Sequence, residues 1–158
     1  MEGGVNDRRN LGETITTIAA TLAVAIIVFA AGFHLHWAFG GKFGFSVSLP
    51  QKPDGRPIYD NLLPVWSVGA LFVALALIAI SVLAVDRAGI LRVGIDPRLV
   101  TVALTIAGVA CVARSLAWHR YVGVFKTLRT TRWARYDTWL YCPLFFALGM
   151  SLIYLATR

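Results

Sequence analysis

The sequence predicts an all-α integral membrane protein, a four-helix transmembrane bundle with one elaborated loop face. Three observations carry that prediction. Hydrophobic residues make up 58% of the 158-residue chain and charged residues 15%, with a mean hydropathy of +0.69, well above the apolar content of an average soluble domain. The charges leave four long gaps, because 14–41, 61–85, 99–113 and 138–157 contain no Asp, Glu, Lys or Arg, and a bilayer core takes roughly 20 helical residues to cross. Each gap is rich in Leu, Ala, Val and Ile without period-2 alternation, the pattern of helices rather than of barrel strands. The whole of 1–158 reads as a single transmembrane domain.

Span one is placed at about 14–39. Arg8 and Arg9 ahead of it, with "FAAG" inside it, resemble a signal peptide, but the apolar run exceeds an h-region of about 7 to 15 residues and reads as a span. It ends in "FHLHWAFGGKFG". Residues two apart on a helix point roughly 200° from each other, so His34 and His36 make a poor chelate, and no metal is expected. His36 and Trp37 suit the headgroup level, where an amphipathic ring keeps one end dry. Gly40, Gly41 and Gly44 let the chain leave the helix.

Span two is placed at about 62–85, and span three at about 99–118, its start set by Asp96 as N-cap and Pro97 at the first helical position. Arg114 lies about one turn inside its far end. There it either snorkels to the interface or pairs with Asp137, the nearest carboxylate by topology. Span four is placed at about 138–157, with Pro143 one turn in, either tolerated near N1 or bending the helix slightly. Cys111 and Cys142 both fall in spans without CxxC spacing and read as small apolar side chains. The small residues of "TIAGVA" in span three suit a homo-oligomer contact and an intramolecular one equally well.

Four spans put both termini and the short middle loop on one side, and the first and third loops on the other. The unusual residues gather on that second side: His36 and Trp37 ending span one, Arg114 and His119 near the end of span three, and Asp137, Tyr141 and Pro143 opening span four. Charge gathers there too. Between Asp96 and Asp137 there are seven basic residues and no acidic one, which accounts for the entire formal charge of +7. The third loop, "HRYVGVFKTLRTTRWARYD", interleaves bases with aromatics. Tied to the bilayer at both ends, it is expected to lie on anionic headgroups rather than to bind nucleic acid. The bias of basic residues between the two sides mildly favours cytoplasmic first and third loops.

"HWAFGGKFG", "SLP" and "VARSLAWHRYVGVFKTLRTTRWARYDTWLYCPLFFALG" together resemble the domain-of-unknown-function family 3995, small bacterial multi-pass membrane proteins. The specific part is the order Arg114, Gly123, Phe125, Lys126, Asp137, Tyr141 and Pro143, and the resemblance runs from about Ile18 to Leu152. It implies a bacterial multi-pass membrane protein and supplies no activity.

No Ser-His-Asp order, HExxH, GxGxxG or P-loop is present. The leading functional expectation is a non-catalytic binding or partner protein of the bacterial cytoplasmic membrane that engages an anionic lipid or amphiphile. Arg114, Lys126 and Arg129 would be its charge donors and Trp37 and Trp133 its interfacial anchors. A second reading is an enzyme acting on a lipid or isoprenoid-like substrate, with His36 or Asp137 as acid or base. A third is a haem-bearing redox subunit using His36 and His119, which would hold haem only superficially. No cofactor is expected on the first reading.

Overall fold

Helix α1 (Glu2–Ala38) runs for 37 residues, about 55 Å at 1.5 Å per residue, and its apolar part is Asn10–Ala38. The computed structural model describes residues 2–59 and 65–158. A 3-10 turn, Phe45–Val47, follows, then α2 (Trp66–Arg87), α3 (Pro97–Ser115), α4 (Arg132–Tyr136), a π turn (Asp137–Tyr141) and α5 (Cys142–Ala156). The last three form one continuous rod, Arg132–Ala156. Among the described residues, four helices are therefore long and apolar enough to cross a membrane.

The boundaries differ from the sequence reading in ways that local hydrogen bonds explain. The expected start of span two at Leu62 lies outside the described residues. Span three stops at Ser115 rather than Trp118, because Leu116 closes the helix with its N–H on Val112 O and the chain then folds back so that Val124 N–H reaches Ser115 O at 2.8 Å. Span four starts at Arg132 rather than Thr138, because Thr131 caps it, its hydroxyl accepting from Ala134 N–H at 3.1 Å. Asp96 and Pro97 behave as expected: the Asp96 carboxylate accepts from Arg98 N–H at 2.7 Å with Pro97 in the first turn.

Pro143 follows the π turn, in which Cys142 N–H bonds five residues back to Asp137 O. In a regular helix the proline ring would press on the Trp139 carbonyl and leave it without a donor. The wider turn falls at the place where that strain arises, and π turns of this kind are frequent at functional sites.

Packing follows side-chain size. Helix α1 lies on α2, α3 on α5, and α1 against α5 joins the two pairs. The core is apolar, with Ala20, Ala23 and Ile27 of α1 meeting Leu104 of α3 and Leu152 and Leu155 of α5. Helices α3 and α5 approach closely where Gly108 faces Gly149. A Cβ on Gly108 would lie 2.9 Å from Gly149 O, and one on Gly149 would lie 2.7 Å from Gly108 O. The glycine of "TIAGVA" therefore serves an intramolecular contact. At the terminal side, Arg87 caps α5 by donating to Leu155 O and Ala156 O at 3.2 and 3.3 Å, a cation satisfying a helix C-terminus.

The core occupies the half of the bundle nearer the termini. The loop-side half is held by aromatic rings and polar side chains instead. Trp37 is buried against Phe33, His34 and Phe45, and Phe45 leans on Trp66. The first loop makes a compact ring, with Ile58 N–H on Pro50 O and Lys52 N–H on Arg56 O. In that ring the backbone N–H of Arg56 holds the Asp54 carboxyl below its ordinary value, helped by the adjacent guanidinium.

Candidate functional site

Asp137 begins the π turn, and its side chain has no exposure. A buried carboxylate is costly unless charge and hydrogen bonds surround it, and here both oxygens are engaged. Oδ1 accepts from Arg114 Nη2 at 2.5 Å. Oδ2 takes the backbone N–H of Gly123 at 3.0 Å, the Lys126 ammonium at 3.1 Å and the Cys142 thiol at 3.7 Å. The pairing of Arg114 with Asp137 across the hairpin, one of the two sequence readings, is thus present.

Lys126 corrects the sequence reading. The sequence suggests that it faces an anionic ligand, yet it is 1% exposed. Its Nζ donates to Gly123 O at 3.1 Å and Thr138 Oγ1 at 2.6 Å and is ion-paired with Asp137 Oδ2 at 3.1 Å. The loop curls inward because Gly123, at φ 90°, lets the chain reverse over Ala117, and a Cβ there would sit 2.1 Å from Ala117 O. Only glycine fits both that conformation and that space.

Trp133 and Trp37 also differ from the expected interfacial anchors, since both are buried in protein. Trp133 donates its indole N–H to Tyr121 O at 2.9 Å and its backbone N–H to Gln51 Oε1 at 3.0 Å. Its ring packs on Tyr141 and lies 5.9 Å from the Arg114 guanidinium. Tyr141 donates to Val47 O at 3.0 Å, and Gln51 Nε2 donates to Ser46 O at 2.9 Å. These contacts clip the first loop to the third. Exposed aromatics stand elsewhere on this side: Trp118 is 85% and Trp139 80% exposed, with Phe39, Phe43 and Phe125 also outward.

The end of α1 forms its own latch. Trp37 donates its indole N–H to Phe43 O at 2.9 Å, and His36 Nε2 accepts from Phe43 N–H at 3.3 Å, which leaves the proton of a neutral ring on Nδ1. Gly40, at φ 84°, turns the chain, and Gly41 lies under the His36 ring, where a Cβ would come within 2.2 Å. Among the described residues no hydrogen bond joins His36 to Asp137. His119 is likewise engaged locally, its Nδ1 accepting from Tyr121 N–H at 3.2 Å. Pro143 is exposed on α5.

Arg129 is exposed and ties the loop to itself, with Nε on Lys126 O at 3.2 Å and Nη2 on Val124 O at 3.3 Å. Arg120, Arg132 and Arg135 are exposed as well. Sequence reasoning missed Gln51, Thr138 and the backbone N–H of Gly123. The polar side chains lie in loops or on a span where no spacing marks them, although the glycine itself belongs to the family-like order of residues.

The basic residues of this side thus fall into two sets. In and beside the third loop, Arg114 and Lys126 neutralise a buried carboxylate and hold the loop, while Arg120, Arg129, Arg132 and Arg135 remain on the surface. An all-helical chain with four such apolar rods is a multi-pass membrane protein. More particularly, it belongs to the family described as "Protein of unknown function (DUF3995)", which matches residues 27–152. No curated protein and no solved structure matches the chain.

Proposed function

We propose that this chain is a non-catalytic binding protein of the bacterial cytoplasmic membrane whose loop-side face engages an anionic lipid or amphiphile. One observation carries the reading. Arg120, Arg129, Arg132 and Arg135 are all exposed on the side that also exposes Trp118, Phe125 and Trp139, while the carboxylate nearest them in sequence, Asp137, is buried and already paired. Interfacial aromatics set the depth of such a surface, and each base near anionic headgroups contributes about 1 kcal/mol. Arg129 keeps the role the sequence suggested, and Lys126 gives up that role for a structural one. The non-catalytic reading is favoured because Asp137, the obvious acid or base, has both oxygens committed.

The test is lipid retention. Purified from nanodiscs of mixed phosphatidylglycerol and phosphatidylcholine, the wild type should carry phosphatidylglycerol above the bulk ratio. The double variant R129E/R132E should lose most of that enrichment, and R132E/R135E, which spares the loop hydrogen bonds of Arg129, should do so while its thermal stability stays within a few degrees. Equal enrichment in all three proteins would overturn the proposal.

A further inference from the structure

The cluster around Asp137 holds two cations and one carboxylate, and it leaves one buried nitrogen without an acceptor. Arg114 spends Nη2 on Asp137 Oδ1, but its Nη1 is buried with no hydrogen-bond partner. Lys126 Nζ, by contrast, donates to Gly123 O and Thr138 Oγ1 and is ion-paired with Asp137 Oδ2. An orphaned donor on a charged group is among the costliest things a protein can bury. The neighbours of the guanidinium are aromatic, with its carbon 5.1 Å from the Phe145 ring and 5.9 Å from that of Trp133. Ring faces are weak partners compared with a charge-assisted bond to an anionic oxygen.

We infer that a phosphate oxygen of an anionic amphiphile completes this cluster at Arg114 Nη1, in a slot walled by Trp133 and Phe145. Charge, donor geometry and position all support such a site. The cluster carries a net charge of +1, from Arg114 and Lys126 against Asp137. Guanidinium suits phosphate because its donors form a planar fork, one prong of which is already held in place by Asp137. Arg114 lies in the last turn of α3, at the loop-side end of a span, where headgroup phosphates lie. The side chain is 23% exposed, so the cluster reaches the surface at its arginine. Trp133 is fixed by Tyr121 and Gln51. Phe145 is only half-buried and makes no hydrogen bond, so it is the wall that shifts to admit an oxygen.

This site rests on the anionic-amphiphile reading above and gives it one defined seat, distinct from the exposed arginines that attract a lipid surface in general. A lipid headgroup and free phosphate share the chemistry, and binding measurements separate them. Detergent-solubilised wild type, titrated with phosphatidylglycerol and separately with inorganic phosphate under native mass spectrometry, should take up one phosphatidylglycerol per chain. Inorganic phosphate binding as tightly would assign the same seat to a soluble anion. R114K keeps a cation beside Asp137 but loses the second prong, and should weaken phosphatidylglycerol at least tenfold. F145A leaves the ion pair intact, opens one wall and should shift the affinity at least threefold.

If both variants bind as the wild type does, or if the wild type binds neither probe, the site is overturned. If R129E/R132E loses lipid enrichment while R114K and F145A change nothing, the surface reading survives and the seat does not. Loss of the single bound lipid in R114K with no effect of R129E/R132E supports the seat and overturns the surface reading.

Discussion

Asp137 ties the last rod to the rest of the loop side, because donors from the end of α3 and from the third loop converge on its two oxygens. Removing one partner of a buried ion pair leaves the other uncompensated, typically at about 3–5 kcal/mol. The alanine variants of Arg114 and Asp137 should therefore be strongly non-additive, with a coupling of about 0.5–3 kcal/mol in a double-mutant cycle read by thermal unfolding. Additive losses would remove the pair as a structural element. Gly123→Ala should destabilise by about 1–3 kcal/mol from its backbone conformation alone, and by more once Ala117 has to move. Unfolding of that variant at the wild-type temperature would contradict the role given to the turn. At this scale the sequence was partly legible. Asp137 was the obvious partner for Arg114 because no other carboxylate lies between Asp96 and the C-terminus. The inward turn of Lys126 was not legible, since a basic residue in a basic loop looks the same whether its ammonium meets lipid or a buried carboxylate.

Among the elements, the contact of α3 with α5 depends on two glycines that bring backbone against backbone. Gly149→Leu should force the helices apart and lower the unfolding temperature by many degrees, whereas Gly69→Leu on α2, where nothing lies within 4 Å of an added Cβ, should be close to neutral. Equal effects at the two positions would contradict the packing. The existence of all four spans could be read from charge-free runs, because a bilayer imposes length and hydrophobicity on any helix that crosses it. Their ends could not all be read so. The start of α3 was visible in Asp96 and Pro97, whose cap is local in sequence. The end of α3 depends on Val124 N–H returning to Ser115 O across a loop, and the start of the last rod depends on Thr131, one of two adjacent threonines in a polar stretch with no capping box. Trp37 and Trp133 looked like interfacial anchors because tryptophan so often is one, but tertiary hydrogen bonds to Phe43 O and Tyr121 O draw both inside.

Over the whole molecule, four crossings place the termini and the 88–96 loop on one side and the first and third loops on the other. Single cysteines introduced at Gly89 and Arg158 in a Cys111→Ser/Cys142→Ala background should label from one face with an impermeant maleimide, and one at Gly55 only from the other. A common face for all three would contradict the topology. The two ends of the bundle are built differently, with an apolar core toward the termini and aromatic and ionic contacts toward the loops. That division sorts the positive charge into a buried set that holds the loop face together and an exposed set, which the proposed function turns toward the bilayer surface. The most direct test of the sorting is thermal unfolding of Lys126→Gln and Arg132→Glu in nanodiscs, with and without phosphatidylglycerol. The structure predicts that Lys126→Gln loses stability in both lipids, while Arg132→Glu matches the wild type in phosphatidylcholine and loses only the increment that phosphatidylglycerol adds. Two variants that respond alike to lipid composition would contradict the division of charge on which the proposed function stands.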